Sequence, residues 1–475
     1  LRGLALNSAC EPDLLPERAA DTAETIVEAR GMAGATLTAS GRRFSAPSAA
    51  LIAALALTFV AGLFGGASRG ARVALIAVEL AALPVAAVAL RRLARSDTGR
   101  RTGWTLAAIA LILAIPVVQC IPLPAELWLK APGQDARFAA LIASGAELGW
   151  RPLSLDPAST LAAIPALFPP IAMFLVTVDL AENERRAVAA GWIALAIAGL
   201  ALGLAQMTQV DGGWAYPYAQ TNTGSLVGWF ANRNHEAAML LALIAPAAIL
   251  AVSRDWTRWI SGGFLLLAIV AIGAVGSRAG IVLAAPVVVL TGLVLLRHRG
   301  WARRRWAVAG FLALVAMSAL TVALLAATPI LNRFGPDTGP EFRYRAWPLI
   351  WREASQYLPF GSGVGSFDRV YRAIEPLRFV GPKFFNHAHN DYLEIWLETG
   401  WFGAAALAAV AAWFAVAATR AWSPRGSSVA RAASVGALAL AAMSWSDYPL
   451  RTEAAATLFA FLLATTAPAG DARRG

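Results

Sequence analysis

The sequence predicts an all-α, polytopic membrane bundle of about twelve spanning helices with one long outward-facing loop between helices 9 and 10. Three observations carry that expectation. Of 475 residues, 58% are hydrophobic and only 15% charged; the mean hydropathy is +0.58; and uncharged apolar runs near the length of a bilayer crossing recur almost to the end of the chain. This balance excludes a secreted module, a cytosolic nucleotide-binding enzyme and a dedicated nucleic-acid reader. The formal charge of +11 is then explained by the sorting of basic loops to one side of a membrane.

Residues 1–45 read as a disordered cytoplasmic tail. Glu11, Asp13, Glu17, Asp21, Glu24 and Glu28 stud it, and it lacks the apolar core of a cleavable export signal. Leu1 at the first position and Met32 just before the first apolar run predict a true start inside this tail. Residues 46–470 form the bundle, and 471–475 a second cytoplasmic tail. The predicted spans centre on 47–66, 72–90, 103–122, 158–178, 187–207, 236–252, 259–275, 279–296, 306–327, 400–419, 431–446 and 453–468. Cys10 and Cys120 lie in unlike settings, so no disulfide framework or cysteine-based zinc site is available.

Every second connection is basic. Arg42 and Arg43 precede the first span, Arg91, Arg92 and Arg95 follow the second, Arg185 and Arg186 follow the fourth, and Arg254 and Arg258 follow the sixth. Arg297, Arg303 and Arg304 follow the eighth, Arg420 and Arg425 the tenth, and Arg473 and Arg474 close the chain. Positive charge is retained in the cytoplasm, so both termini are expected there. Trp104, Trp256, Trp259, Trp301, Trp306, Trp401 and Trp422 stand near span ends, as interfacial tryptophans do. The long loop 328–399 breaks the charge rule with Arg333, Arg343, Arg345, Arg352, Arg369, Arg372, Arg378 and Lys383. Long loops cross regardless of charge, and a basic cluster on the outer side suits an anionic substrate.

Four histidines exist, and His235, His387 and His389 fall on the outward side, whereas His298 sits among cytoplasmic arginines. In Asn386-His387-Ala388-His389-Asn390-Asp391-Tyr392-Leu393-Glu394, Asp391 and Glu394 have the spacing of a capping box at the start of an apolar helix. His389 then lies before a helix amino terminus, where the dipole disfavours the imidazolium and a neutral ring can accept a proton. The alternative is a histidine that merely caps the loop. His387 and His389 with Asp391 also have a spacing open to metal ligation, but third and fourth ligands are not evident, so no metal is expected. Arg278 is pinned between two spans, and it either snorkels to the interface or grips phosphate oxygens bidentately. Arg343 and Arg345 offer a second cationic clamp or a solvated face.

Asn232-Arg233-Asn234-His235-Glu236 opens the sixth span after a loop with Trp214, Tyr216, Tyr218 and Trp229. Aromatics beside amides suit sugar rings, and they equally suit a membrane interface. Glu79 lies mid-span without an assigned role. Gly361-Ser362-Gly363-Val364-Gly365-Ser366-Phe367 lacks the spacing of a nucleotide loop and reads as a turn.

Together these residues resemble the O-antigen ligase and polymerase superfamily of Wzy/WaaL-type membrane glycosyltransferases. His389-Asn390, nine residues, then Gly400-Trp401-Phe402-Gly403 fits the pattern H-[NSQ]-x9-G-x-x-[GTY], and Arg345 to Leu349 fits R-x3-L. The Ser277 to Gly280 junction and the Gly361 to Phe367 turn are also similar, so the likeness covers roughly residues 210–420. The resemblance implies a GT-C-like, inverting, metal- and cofactor-independent glycosyltransferase at the periplasmic face of a bacterial inner membrane. It implies an undecaprenyl-diphosphate-linked glycan donor and a glycan or lipid A core acceptor, with no nucleic-acid partner. On the matching positions, His389 is the implied general base, and Arg278 with Arg343 or Arg345 neutralises the leaving diphosphate. Asn232, Arg233, His235, Lys383, His387 and Asn390 are the expected substrate-binding residues. A protein O-oligosaccharyltransferase and, from another class, a polyprenyl-linked glycan transporter are the alternatives.

Overall fold

A helix that is apolar around its whole circumference must be covered on every side. In the computed structural model of this chain, Arg233–Ala251 is such a helix, buried continuously from His235 to Leu250. The structure describes residues 47–68, 70–95, 103–209, 211–298, 310, 340–380 and 385–468. The tail 1–45, the span expected over 306–327 apart from residue 310, Lys383 and the tail 471–475 lie outside them.

In chain order the described elements are α1 Ala49–Phe64, α2 Arg72–Arg95, α3 Gly103–Cys120, β1 Pro122–Leu123, α4 Ala125–Trp128, α5 Asp135–Ser144, β2 Arg151–Pro152, α6 Pro157–Ala166, α7 Phe168–Val178 and α8 Glu182–Met207. The buried helix is α9, followed by α10 Thr257–Val275, α11 Arg278–Leu296, α12 Pro340–Ala354, α13 Phe367–Ile374, α14 Asp391–Trp422, α15 Ser428–Ser446 and α16 Glu453–Thr466. Among the described residues, eight helical stretches are long and apolar enough to cross a membrane, with α6 and α7 acting as one; α1, α3 and α16 are shorter apolar helices. Each coincides with an apolar run read from the sequence. The small antiparallel ribbon, with Pro122 opposite Pro152 and Leu123 opposite Arg151, was not anticipated.

Small residues bring the helices together, as expected where lipid gives no hydrophobic drive between them. A Cβ on Gly436 of α15 would strike the Ala242 carbonyl of α9, and one on Gly280 of α11 would come within 2.9 Å of the Ala237 Cβ. The result is one continuous core through α1, α2, α7 to α11, α15 and α16. A second core is built from Ala346, Ile350, Phe367, Tyr371, Phe385, Ala388, Leu393 and Leu397, so it belongs to the segment between α11 and α15.

The connections sort by parity. At one end Arg92 Nε meets Asp179 at 2.7 Å, Arg186 meets Asp255 at 3.7 Å and Arg297 donates to the Trp422 carbonyl at 2.9 Å. Buried Arg185 donates to the carbonyls of Val178 and Ala467 at 3.0 and 2.7 Å, satisfying groups that helix ends leave over. At the other end the Gly66 amide donates to the Tyr218 hydroxyl at 2.9 Å, Ala231 N donates to Gly66 O and Ala454 N to Gly65 O. The even-numbered, arginine-rich connections thus gather apart from the odd ones. Glu79 of α2 is not isolated, since its carboxyl approaches that of Glu453 at the start of α16.

Candidate active site

The second core ends in the loop that carries the histidines. Trp347 Nε1 donates to the Ala388 carbonyl at 2.9 Å, and Phe385 packs against Phe367 and Tyr371 with ring centroids 5.9 and 5.0 Å apart. Held from both sides, His389 adopts φ 50°, the one non-glycine residue in the left-handed region among those described. Such a conformation costs energy for a side chain with a Cβ, and it persists where surrounding contacts enforce it.

The capping box expected from Asp391 and Glu394 is not formed. Asn390 is the N-cap of α14, its Oδ1 accepting from Leu393 N at 3.0 Å. The acidic residues are engaged elsewhere. Glu394 accepts from His387 Nδ1 and Ala388 N, both at 2.8 Å, and Asp391 accepts from Leu450 N at 3.2 Å. Asp391, Glu394 and Glu398 share one buried face of α14 at intervals of three and four residues. Arg451 answers them, 2.8 Å from Glu398, 3.5 Å from Glu394 and 3.7 Å from Asp391. Burial alone would lower the Arg451 pKa, but the three carboxylates together hold it above the usual arginine value.

His389 Nδ1 lies 2.9 Å from Asp447 Oδ1. A carboxylate can only accept, so Nδ1 carries the proton and Nε2 retains its lone pair. Asp447 is the C-cap of α15 and 1% exposed. It also accepts from the Asn234 amide and from Tyr448 N at 2.9 Å, and its Oδ2 lies 3.5 Å from Arg343 Nη1. Burial would raise the Asp447 pKa, yet the nearby His389 and Arg343 charges and the His389 hydrogen bond hold it well below the usual carboxylate range. Burial lowers the pKa of His389; Asp447 opposes the shift, and the Arg343 charge adds to it. The neutral ring expected from the helix dipole is therefore favoured, chiefly by desolvation.

His235 is buried with Nε2 3.8 Å from Asp447 Oδ1, beyond hydrogen-bond distance. Tyr448 stands among three imidazoles, its ring centroid 4.2 Å from His387, 4.8 Å from His235 and 4.9 Å from His389. Burial pushes its hydroxyl up to about 12, and the side chains of Asn386 and Asn232 hydrogen-bond to it. Asn232 also caps α9, accepting from Asn234 N at 2.9 Å, while Arg233 opens that helix half-buried, its amide donating to Asn222 Oδ1.

Of the sequence-expected residues, the structure gathers His389, Arg343, His235 and Asn232 around Asp447 and Tyr448, with the His387 ring also against Tyr448, while Asn390 caps α14. The Nδ1 of His387 is turned to Glu394 rather than Asp447, so the two neighbouring imidazoles use Nδ1 on different carboxylates. Among the described residues no cluster of three or more His, Cys, Asp or Glu is arranged to hold a metal ion. Arg345, two residues beyond Arg343 on α12, is exposed. Arg278 is the half-buried first residue of α11, directly after the Ser277 N-cap. The Gly280–Ala237 contact brings that turn against the first turns of α9, the helix that carries His235.

The glycines that suggested a turn fold against the helix kink. Ser362 N and Gly363 N donate to the carbonyls of Leu397 and Glu398 at 3.0 Å, and Val364 N donates to Gln119 Oε1 at 3.0 Å. With these amides engaged inside the protein, the turn has no phosphate cradle. Gly400, at φ 56°, breaks α14 where a Cβ would meet the Pro359 carbonyl, and Trp401 N donates to that carbonyl at 3.0 Å.

Sequence reasoning missed Asp447 and Arg451. The signal lay in Ser446-Asp447-Tyr448-Pro449-Leu450-Arg451, a charged hexapeptide confined between two apolar runs, where a short loop has little room for idle charge.

No curated protein matches the chain. Residues 263–408 match the family model described as O-antigen ligase, Wzy_C, a stretch that contains Arg278, Arg343, Arg345, His387 and His389. That match, with the motifs it encloses, gives residues 263–408 a Wzy_C domain and supports membership of the O-antigen ligase and polymerase family.

Proposed function

We propose that this protein is an inverting glycosyltransferase that moves a glycan from undecaprenyl diphosphate to a hydroxyl acceptor at the periplasmic face of a bacterial inner membrane. The carrying observation is the His389–Asp447 pair with Arg343 beside it, in a chain whose helices are apolar enough to cross a bilayer. The grouping of arginine-rich connections at one end supports a topology in which that end is cytoplasmic, and with the span that the sequence predicts over 306–327 the proposed crossings number about twelve.

In the proposed reaction the acceptor hydroxyl gives its proton to His389 Nε2 as its oxygen bonds to the anomeric carbon. The bond from that carbon to the diphosphate oxygen breaks, and the electron pair leaves with the diphosphate. Asp447 holds the ring in the correct tautomer and stabilises the imidazolium that forms. Arg343, with Arg278 from α11, balances the charge on the leaving group. Every step is carried by side chains of this chain, without a metal or cofactor.

Purified protein in lipid nanodiscs, given lipid-linked donor and acceptor, tests the reading. His389→Ala and Arg278→Ala are expected to remain folded and membrane-inserted while transfer is lost; turnover at the wild-type rate in either variant overturns the role. Deleting the gene separates the acceptors. Shortened surface polysaccharide identifies a polymerase, and bare lipid A core with accumulating lipid-linked glycan identifies a ligase.

A further inference from the structure

Beside the His389 centre lies a cleft of about 360 Å³, within the size range of small-ligand sites. Its walls are mainly Tyr344, Trp347 and Trp351 of α12, Tyr392 of α14 and Trp445 of α15, and Asn390 borders it. These are the elements that present Arg343, His389 and Asp447. Trp445 is two residues before Asp447, Tyr344 directly follows Arg343, and Asn390 directly follows His389.

The walls are rings rather than aliphatic chains. Tyr344 and Trp347 meet edge to face at 4.8 Å, Trp347 and Trp445 at 6.2 Å, and Trp351 stacks on Trp396 at 5.6 Å. Tyr392 is anchored through its hydroxyl to the Ala441 carbonyl at 2.7 Å. Tyr344, Trp351 and Trp445 are each more than half exposed, which a packing role does not require. Among the described residues no carboxylate, lysine, arginine or histidine lines the cleft, so its chemistry suits an uncharged ligand with flat apolar faces and hydroxyl edges. A pyranose ring has that form: its C–H face lies on an aromatic ring, and its hydroxyls reach an amide such as Asn390.

We propose that this cleft binds neutral sugar rings of the acceptor glycan, an inference that rests on the glycosyl-transfer reading above. A single inverting displacement needs acceptor and leaving group on opposite sides of the anomeric carbon. The cleft lining comes from α12, α14, α15 and the Asn390 cap, with no residue of α9 or α11, while Arg278 stands on α11. The acceptor wall therefore stands apart from α11 and Arg278, while Arg343, next to Tyr344 on α12, lies where that wall meets the leaving-group side.

The experiment uses full-length protein in nanodiscs and two probes: oligosaccharide released by mild acid from the producing cell's surface polysaccharide, and undecaprenyl monophosphate. Saturation-transfer NMR and titration compare wild type with Trp351→Ala, Trp445→Ala, Trp351→Tyr and His389→Ala. Oligosaccharide affinity is expected to fall about tenfold or more in the two alanine variants, as for aromatic anchors that the bound ligand covers. It should largely return in Trp351→Tyr, with undecaprenyl phosphate binding unchanged throughout, and transfer by the alanine variants should show a raised acceptor KM at nearly constant kcat. Unchanged oligosaccharide affinity in both alanine variants, no oligosaccharide binding by wild type, or loss of undecaprenyl phosphate binding instead overturns the proposal. His389→Ala is expected to bind oligosaccharide and transfer nothing. Transfer surviving in it defeats the catalytic reading while the binding result for the cleft stands by itself.

Discussion

His389 Nδ1 and Asp447 Oδ1 are 2.9 Å apart although 58 residues and a complete helical hairpin separate them in sequence. The pairing fixes which nitrogen is basic. Replacing Asp447 by Asn retains the shape but lets the amide donate to the ring, which reverses the tautomer. Asp447→Asn is expected to lower kcat by about 10²- to 10⁴-fold with little change in acceptor KM, measured on purified protein with lipid-linked donor. A fall confined to KM would assign Asp447 to binding.

The pH profile follows from the direction of the His389 shift. Burial lowers its pKa, so the active, neutral ring persists below the usual histidine value of about 6.5. Log kcat/KM is expected to be level through neutrality and to drop with unit slope on acidification, at an apparent pKa under that value. Asp447 favours the imidazolium, so Asp447→Asn should move the inflection to still lower pH. An inflection above neutrality in the wild type would contradict the assignment.

Arg451 bears on stability rather than chemistry. Its removal leaves Asp391, Glu394 and Glu398 buried without their cation. Breaking a buried pair from one side costs about 3–5 kcal/mol. Arg451→Met should therefore reduce folded yield and thermal stability in detergent. Because Glu394 also holds His387 and Ala388, any surviving protein should turn over more slowly. Combining Arg451→Met with Glu394→Gln and Glu398→Gln should recover stability, as assayed by thermal denaturation monitored by size exclusion.

The apolar runs were legible because bilayer thickness demands a minimum length, and each described run is a helix. The motif of His389, Gly400 and Gly403 was legible by its offset, and the structure gives that offset a cause: the kink at Gly400 lets the Gly361 to Gly365 turn seat against Glu398. What sequence could not convey is pairing across the bundle. Asp391 and Glu394 look like a local cap, yet their partners, Arg451 and His387, decide their use, and Asn390 caps in their place. The hexapeptide around Asp447 marks confined charge but not its use, since its meaning comes from three elements that converge on it.

The choice between Arg343 and Arg345 turns on side-chain placement. Both lie on α12, and the R-x3-L spacing selects Arg345. Arg343 is the one whose guanidinium reaches Asp447, at 3.5 Å, with 28% of its side chain exposed, whereas Arg345 is exposed. A charge that is partly withdrawn from water interacts more strongly with a nearby diphosphate than one in solvent. Arg343→Ala is thus expected to lower kcat by about 10²- to 10³-fold, the scale of removing one well-placed electrostatic donor, and Arg345→Ala by much less. Arg343→Lys should recover only part of the loss, because an ammonium cannot serve the carboxylate and a phosphate through one planar fork. Transfer rates of the three variants at saturating donor decide the matter, and a greater loss in Arg345→Ala would shift the leaving-group role to Arg345.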